Sequence, residues 1–463
     1  MQKKFLYLSL IFILMIAGLV RIYPFSVGSF GGPDPLYHAR MADLFIDNQS
    51  LPEYDALSMQ GRPYTYSPLF HISLALFSMF SGIPAQQMIG IYPFIYGVLA
   101  VLLVFVLSRR LFNSDKIAIF SSLFLATMGL HIVRTFSYAR PDGLAITLII
   151  AAIFFLTQRN MKALAFISIV LVLLHPLSSL YLLLFMLLAS LGMKFFKKPF
   201  QTTAVFAAIA LAFLVYLLWL FSLPVPLDGY LSEHYLGSTE INELTFISFL
   251  YFLSFAWIFF IIGFVKLKEK FFEKMWFLFS LLFGFFALRL FIYFAPVASL
   301  FAGFGFVFVL EKVKKYRKHF FAVIFIFISI TLLTTLISID SFPTQKTRHA
   351  MNWLNESTSS DSVVAARWDA GHLITGMADR TAFIDGYFEF APRLDERADA
   401  VEDLMMTSDC SLILSVSQVW GIDYVFLHPG AVSSRSYIRG ILEADCENMN
   451  LVFDNGSRII ELD

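Results

Sequence analysis

Long apolar stretches separated by short lysine-rich loops limit most strongly what this chain can fold into. A helix needs roughly 20 mostly apolar residues to cross a bilayer, and such stretches follow one another along most of the first 340 residues. Of the 463 residues 58% are hydrophobic and 15% are charged, whereas soluble domains average about 45–50% apolar and about 25% charged residues. With a mean hydropathy of +0.73, the sequence predicts an α-helical polytopic membrane protein.

Length and hydropathy together predict about eleven spans, and up to thirteen. The first begins directly after MQKK, and no small-residue cleavage site follows it, so we expect an uncleaved span rather than a signal peptide. The predicted spans are 5–22, 88–108, 117–131, 142–157, 161–175, 176–193, 202–222, 244–265, 275–288, 290–310 and 319–338.

The lysine and arginine clusters between these spans orient the chain. When the connections are numbered alternately, every lysine-rich loop falls on one side, which the positive-inside rule makes cytoplasmic. We therefore expect a multi-pass protein of the cell membrane with a cytoplasmic N-terminus and a long first external loop, residues 23–87. Lysine plus arginine and aspartate plus glutamate both number 34, and this balance gives no indication of a nucleic-acid partner.

The composition changes near residue 340, where charged and small polar residues return and the apolar runs shorten. We predict two domains: a transmembrane domain over residues 1–340 and a small extracytoplasmic α/β domain over 341–463. Both cysteines, Cys410 and Cys446, lie in the second. An oxidising exterior would permit a disulfide between them, but the sequence leaves its existence open.

Out-of-place polar residues gather on the predicted external side, whereas the span interiors are expected to carry essentially no charge. A transporter usually places its coupling carboxylates near the bilayer midplane. An external rim suits chemistry on a lipid-anchored substrate instead, because arginines bind phosphate and carboxylates hold a cation or act as a base. The rim residues are Asp34, Tyr37, His38, Arg40, Arg134, Arg140, Asp142, His175, Glu233, His234, Glu240, Glu243 and Arg289.

Several of the rim residues also have a plain structural explanation. An arginine at a helix end often extends to the lipid headgroups. Asp34 follows Gly-Gly-Pro and could simply be a turn residue. His175 precedes a proline and could simply cap a tight hairpin. Glu240 could belong to a solvated loop. The functional interpretation rests on all of them sharing one face.

Four segments resemble the catalytic subunit of oligosaccharyltransferase in its archaeal and bacterial single-subunit forms, a membrane glycosyltransferase of the C-type (GT-C) fold. DPLYHAR at 34–40 is similar to the first-loop motif of that family, and YARPDGLAI at 138–146 occupies the place of its second D-x-D motif. ALRLFIYFAPVASLFAG at 287–303 is similar to its stretch of Arg-Phe followed by Ala-Pro. Residues 352–386 resemble the segment with the WWDYG motif, and the resemblance covers nearly the whole chain.

The resemblance implies a polyprenyl (dolichyl) phosphate or diphosphate sugar donor and transfer to an acceptor at the external face. It implies that Asp34 and Asp142 hold Mg²⁺ or Mn²⁺ and act in catalysis with Glu240. Arg289 would contact the donor phosphate, and we add Arg140 and His175 to that site. Trp368 and Asp369 would bind the acceptor, by analogy with the turn that receives a Ser or Thr hydroxyl.

Two departures from the family pattern leave alternatives open. The first Trp of the acceptor motif is Arg367 here, and the first Asp of the D-x-D motif is Arg140. The leading hypothesis is transfer like that of oligosaccharyltransferase, which N-glycosylates proteins. One alternative is a metal-independent enzyme that uses a polyprenyl monophosphate sugar and a protein or lipid hydroxyl, with Asp34 as the base. The other is a non-catalytic lipid-binding membrane protein.

Overall fold

The computed structural model describes residues 3–136, 139–195, 203–222, 255–268, 270–285, 288–337, 342–387, 391–428 and 439–462. Helices make up most of the described residues up to 337. In chain order they are α1 (Lys3–Ser26), α2 (Asp34–Asn48), α3 (Pro68–Ser81), α4 (Ala85–Phe112), α5 (Asp115–Thr127), α6 (Gly129–Thr135), α7 (Pro141–Thr157), α8 (Met161–Leu174), α9 (Pro176–Phe195), α10 (Thr203–Ser222), α11 (Ala256–Lys266), α12 (Phe271–Gly284), α13 (Phe294–Lys312) and α14 (Arg317–Ile337).

Each predicted span coincides with one or more of these helices, but length separates them. Within the described residues, four helices are long and apolar enough to cross a membrane: α1, α4, α14, and α13 with the 3-10 helix that precedes it. A fifth is added if α5 and α6, which meet at a bend of 61°, count as one span. Several others are apolar but shorter. The prediction of eleven spans therefore remains a prediction, and residues 244–254 of the eighth lie outside the described part.

Helices α5, α11 and α13 form the centre of the bundle, and small residues let them approach closely. A Cβ atom added at Gly263 of α11 would meet the backbone of Phe301, and one at Gly305 of α13 would meet the backbone of Phe259. Lipid gives no hydrophobic drive for helices to associate, so close packing at small residues is a main source of cohesion. Here it holds α13, the helix that follows Arg289, against its neighbours.

Prolines mark where the two helices near the site begin. Asp34 starts α2 directly after Pro33, and Pro141 starts α7 directly after Arg140. Proline at the first helical position costs no hydrogen bond there. Asp34 and Asp142 therefore both lie in the first turn of a helix, where a negative charge is favoured by the helix dipole.

The C-terminal module, residues 342–462, contains a mixed five-stranded sheet. Its order is β4-β3-β5-β7-β6, with β3 parallel to β4 and β5, and with β7 antiparallel to β5 and β6. A disulfide joins Cys410 and Cys446. The helices and strands of the module are α15 (Gln345–Ser357), β3 (Val363–Ala365), β4 (Thr381–Ala382), α16 (Leu394–Met406), α17 (Cys410–Trp420), β5 (Tyr424–Leu427), α18 (Arg439–Glu443), β6 (Met449–Asp454) and β7 (Arg458–Leu462).

The first loop, residues 27–84, docks against this module. It contains a short antiparallel pair, β1 (Tyr54–Asp55) and β2 (Arg62–Pro63). Backbone bonds join the two parts: the Phe30 amide donates to the Phe342 carbonyl at 2.7 Å, and the Ala382 amide donates to the Leu57 carbonyl at 2.9 Å. The loop and the module thus present their polar residues on a shared surface.

Candidate functional site

Two ion pairs bring three of the predicted site residues together. Arg140 donates from Nη2 to the carboxylate of Asp34, and Arg134 lies 3.5 Å from the carboxylate of Asp142. Both carboxylates act electrostatically on the buried ring of Tyr66, as does Arg140, so the two pairs are neighbours. The four charged side chains are each 14–20% exposed, so none of them is fully enclosed by the fold.

His38 of the first-loop motif lies inside this site rather than at its rim. Its Nδ1 is 2.7 Å from Nε2 of His71, and Nδ1 of His71 is 2.6 Å from the Tyr64 hydroxyl. Burial, followed by the charges of His71, Arg140, His372 and His175, holds the pKa of His38 well below its ordinary value. His38 is therefore a neutral imidazole at neutral pH, and His175 and Arg140 are both close to it.

The floor of the site is a buried ionic network between the first loop and the C-terminal module. Arg62 binds Asp385 at 2.5 Å and Asp55 at 2.8 Å, and Arg40 binds the same Asp55 with two bonds of 2.6 and 2.7 Å. Burial opposes the ionisation of Asp385, but Arg62 and His372 outweigh it and hold the pKa of this carboxyl at about 2. The network keeps its charges paired in the folded protein.

The module also brings His372 and Gly386 to Asp34. A Cβ atom built on Gly386 would lie 2.8 Å from Nε2 of His372 and 3.7 Å from Oδ1 of Asp34. The Asp34 oxygen not bound by Arg140 therefore faces the module, directly beside the segment that resembles the acceptor-binding segment of the family.

The other predicted residues are placed as follows. His175 ends α8, and its Nδ1 is 2.7 Å from the hydroxyl of Ser178. Trp368 and Asp369 begin the turn that leads to His372, and Asp369 lies 3.5 Å from Arg367. Their role in acceptor binding stays a prediction, as do the roles of Asp34, Asp142, Arg140 and His175. Arg289 belongs to the 3-10 helix Leu288–Tyr293, but its side chain lies outside the described part, as does the whole of Glu240.

The sequence argument missed Arg21, which the structure places inside the helix bundle near the site. It treated the span interiors as uncharged, but Arg21 is fully buried in α1, where its guanidinium bonds to Thr135 and His131 of α6. A hydropathy window hides a single arginine among apolar neighbours. His131 and Thr135, four residues apart on one helix face, were the signal that could have revealed its partners.

The described residues do not fit a divalent metal ion in this arrangement. Asp34 and Asp142 are the two predicted ligands, and each is already paired with an arginine. A guanidinium is always charged, so each arginine repels a cation from the carboxylate with which it is paired. In the described ranges, no three His, Cys, Asp or Glu side chains converge on one point that could hold a metal ion.

No family model matches the sequence. A 109-residue segment is 27% identical to the dolichyl-phosphooligosaccharide-protein glycotransferase 1 of Archaeoglobus fulgidus, covering 23% of this chain and 18% of that protein. The match thus spans less than a fifth of the relative, so whole-protein activity, substrates and partners do not follow from it.

Solved structures match over nearly the whole chain. The oligosaccharyltransferase of Archaeoglobus fulgidus, tethered to an acceptor peptide with an NVT sequon, aligns with a TM-score of 0.71 and 14% identity over 95% of this chain and 72% of that one. ArnT from Cupriavidus metallidurans, bound to undecaprenyl phosphate, aligns with a TM-score of 0.65 and 11% identity over 99% of this chain and 98% of that one. Another structure of the Archaeoglobus enzyme contains zinc and sulfate.

These likenesses confirm the resemblance predicted from the four sequence segments, and the long apolar helices agree with a multi-pass membrane protein. By its fold the chain is similar to these solved glycosyltransferase structures, and its 109-residue segment is similar in sequence to an archaeal dolichyl-phosphooligosaccharide-protein glycotransferase.

Proposed function

We propose that this protein transfers a sugar from a polyprenyl phosphate donor to a hydroxyl acceptor without a divalent metal ion. The observation that carries the proposal is the ion pair between Arg140 and Asp34. A guanidinium occupies the place at the first-loop carboxylate where a metal-dependent enzyme would hold its cation. Phosphate and carboxylate are both ligands of arginine, so Arg140 can serve the donor phosphate while it stays beside Asp34.

In this mechanism Asp34 is the general base. Its Oδ1, the oxygen that faces Gly386, takes the proton of the acceptor hydroxyl as the hydroxyl oxygen attacks the anomeric carbon. The bond between that carbon and the phosphate oxygen breaks, and the leaving phosphate gains negative charge. This charge would be stabilised by the guanidinium groups of Arg140, Arg134 and Arg289. Stabilising the charge that develops in the transition state is usually the largest single contribution to catalysis.

The neighbouring side chains suit this chemistry. Arg140 and Asp34 are 19% and 14% exposed, so a donor phosphate can reach one and an acceptor hydroxyl the other. A partly desolvated site strengthens each charge–charge contact. His175 lies close to the same group of side chains and can donate a further hydrogen bond to the phosphate.

The ArnT structure supports a lipid monophosphate donor, because it contains undecaprenyl phosphate and aligns with almost the whole of both chains. We propose the same class of lipid here, held with its tail among the helices. We also propose that the Asp34 end of the bundle and the C-terminal module face outward and that the lysine-rich loops face the cytoplasm. The Cys410–Cys446 disulfide agrees with an oxidising compartment for that module.

The second candidate is N-glycosylation of protein, as in oligosaccharyltransferase. The sequence match to an archaeal protein glycotransferase favours it, and another archaeal oligosaccharyltransferase aligns while holding a dolichol-phosphate and an inhibitory peptide. Asp34, Asp142 and Glu240 would then be the ligands of Mg²⁺ or Mn²⁺, and Trp368 and Asp369 would receive the peptide. Both arginine pairs would first have to open.

The test offers a radiolabelled sugar on a polyprenyl monophosphate to the purified full-length chain in chelator. A hydroxyl-bearing lipid, a Ser/Thr peptide and an Asn-sequon peptide serve as acceptors, and each reaction is repeated with Mn²⁺. We expect transfer to a hydroxyl acceptor in chelator, lost in Asp34→Asn and retained in Asp47→Asn, a matched change on an exposed residue of the same helix. Transfer only with Mn²⁺ and only to the sequon would favour the second candidate, whereas lipid binding without transfer would indicate a non-catalytic lipid-binding protein.

A further inference from the structure

A buried arginine in the first helix takes no part in the chemistry proposed above. Arg21 of α1 is 0% exposed. Its Nε donates to the Thr135 hydroxyl at 2.8 Å, and its Nη2 lies 2.7 Å from Nδ1 of His131. In the part of the chain that the structure describes, none of its hydrogen bonds reaches a carboxylate. A buried arginine in an apolar helix, with no carboxylate among these partners, calls for a functional explanation.

The position of Arg21 coincides with the bend between α5 and α6. The two helices meet at 61° around Met128, and the carbonyls in the last turn of a helix lack partners within that helix. Arg21 donates from Nη1 to the Ala126 carbonyl of that turn at 3.4 Å and to the Ala17 carbonyl of its own helix at 3.0 Å, while Nε and Nη2 contact Thr135 and His131 of α6. The same side chain thus stabilises the end of α5 and fixes the direction in which α6 leaves it.

Both helices tied by Arg21 lead to the ion pairs of the site. Helix α1 runs into the first loop, which reaches Asp34 at the start of α2. Helix α6 carries Arg134, the partner of Asp142, and the chain continues from it to Arg140, the partner of Asp34. A shift of α6 relative to α1 would therefore change both pairs at once.

We infer that Arg21 is a positioning residue that sets the distance between two arginines, Arg134 on α6 and Arg140 after it, and the carboxylates they face. The consequence for sugar transfer rests on the proposed function, but the geometric claim does not. If it is correct, changes around Arg21 should alter the approach of residues 34 and 140 while the overall fold persists. The rate of transfer should fall with little change in the KM for the donor.

Gly97 of α4 offers a way to move the guanidinium without removing its charge. A Cβ atom at this position would lie 2.5 Å from Nε and 2.6 Å from Cδ of Arg21, and 2.9 Å from Cβ of Thr135. Alanine is favoured over glycine inside a helix by about 1 kcal/mol. Any loss of cross-linking or activity in Gly97→Ala must therefore come from displacing the side chains next to residue 97. The matched control is Gly192→Ala, where the added Cβ atom meets the flexible end of Met275.

The experiment measures cross-linking between Asp34→Cys and Arg140→Cys in the full-length chain with a short thiol-reactive cross-linker. The two native cysteines are already joined to each other and do not interfere. Arg21→Met, Arg21→Lys, Thr135→Val, Gly97→Ala and Gly192→Ala are each placed in this background, and thermal unfolding checks the fold. In the chain with native Asp34 and Arg140, the same five changes are tested for kcat and donor KM.

We expect Arg21→Met and Gly97→Ala to slow cross-linking at least about tenfold and to lower kcat by up to about a hundredfold, since small misplacements of reacting groups carry penalties of this size. Thr135→Val should give a smaller change, Arg21→Lys should restore most of the rate, and Gly192→Ala should match the parent. Parent-like cross-linking in Gly97→Ala and Thr135→Val would overturn the inference, even if Arg21→Met fails to fold. Slower cross-linking in a chain without transfer activity would uphold it and refute the proposed function instead.

Discussion

Removing the guanidinium of Arg62 should undock the C-terminal module. Arg62 is 3% exposed and joins Asp55 in the first loop, which is 1% exposed, to Asp385 in the module, which is 2% exposed. In Arg62→Met, Asp55 keeps its two bonds from Arg40. Among the described residues, the contacts that Asp385 keeps are the Tyr387 amide at 2.9 Å and His372 at 3.8 Å. The free-energy cost of the substitution therefore comes mainly from leaving the buried Asp385 carboxylate without a guanidinium partner.

Breaking a buried ion pair on one side costs about 3–5 kcal/mol, which shifts the docking equilibrium by a hundred- to a few thousandfold, at about 1.4 kcal/mol per factor of ten. Limited proteolysis of the full-length chain reports this shift as faster cleavage within residues 342–462. The double change Arg62→Met with Asp385→Leu should regain most of the protection, because it removes the orphaned charge as well.

The matched control is Arg458→Met, which breaks the half-exposed pair between Arg458 and Asp454 on the β6–β7 hairpin. Exposed pairs contribute about 0–1 kcal/mol, so its cleavage rate should stay close to that of the parent. If Arg62→Met is cleaved no faster than Arg458→Met, the network is not what holds the first loop and the module together.

Three further predictions concern the site. Asp34→Asn should abolish transfer while the detergent-extracted protein unfolds at the parent temperature, and activity within a few-fold of the parent would remove Asp34 from the chemistry. Arg289→Ala should weaken donor binding about ten- to a hundredfold, because one charge-assisted hydrogen bond to phosphate contributes about 1.5–3 kcal/mol. Unchanged binding of a polyprenyl monophosphate would indicate that Arg289 only contacts the lipid headgroups. Burial, followed by the charges of His71 and Arg140, holds the pKa of His38 below its ordinary 6.5. The contribution of His38 to stability should therefore be level above about pH 7. It should fall below about pH 6.5, where the unfolded chain takes up the proton, by up to about 1.4 kcal/mol per pH unit. His38→Gln should flatten that part of the pH profile, and an unchanged slope in a denaturant titration at pH 7 and pH 5.5 would contradict it.

Local pattern was enough to predict the helices and the cluster around Asp34. Apolar runs located α1, α4, α13 and α14 to within a few residues. The polar residues between the runs included Asp34, Arg140 and Asp142, which the structure brings together, because the ends of neighbouring helices meet at the same face of a bundle.

Long-range pairing was beyond the reach of such patterns. Arg62 and Asp385 are 323 residues apart in sequence, and neither stands out among its neighbours. The position of Arg140 in the D-x-D slot suggested a changed metal site, but only the fold shows that its guanidinium binds the Asp34 carboxylate. Arg21 escaped notice because one charge hardly changes the mean hydropathy of a span, whereas its energetic effect depends on burial and partners that appear only in the folded chain.

The measurement that tests the central claim most directly is transfer by the parent and by Arg140→Asp in chelator and across a series of Mn²⁺ concentrations. If Arg140 replaces a metal ion beside Asp34, the parent should work at full rate in chelator. Arg140→Asp should then lose activity and stay indifferent to Mn²⁺, because the donor phosphate has lost its cation. A parent that stops in chelator and recovers with Mn²⁺, together with a tighter apparent Mn²⁺ affinity in Arg140→Asp, would contradict the account and favour a metal-dependent oligosaccharyltransferase.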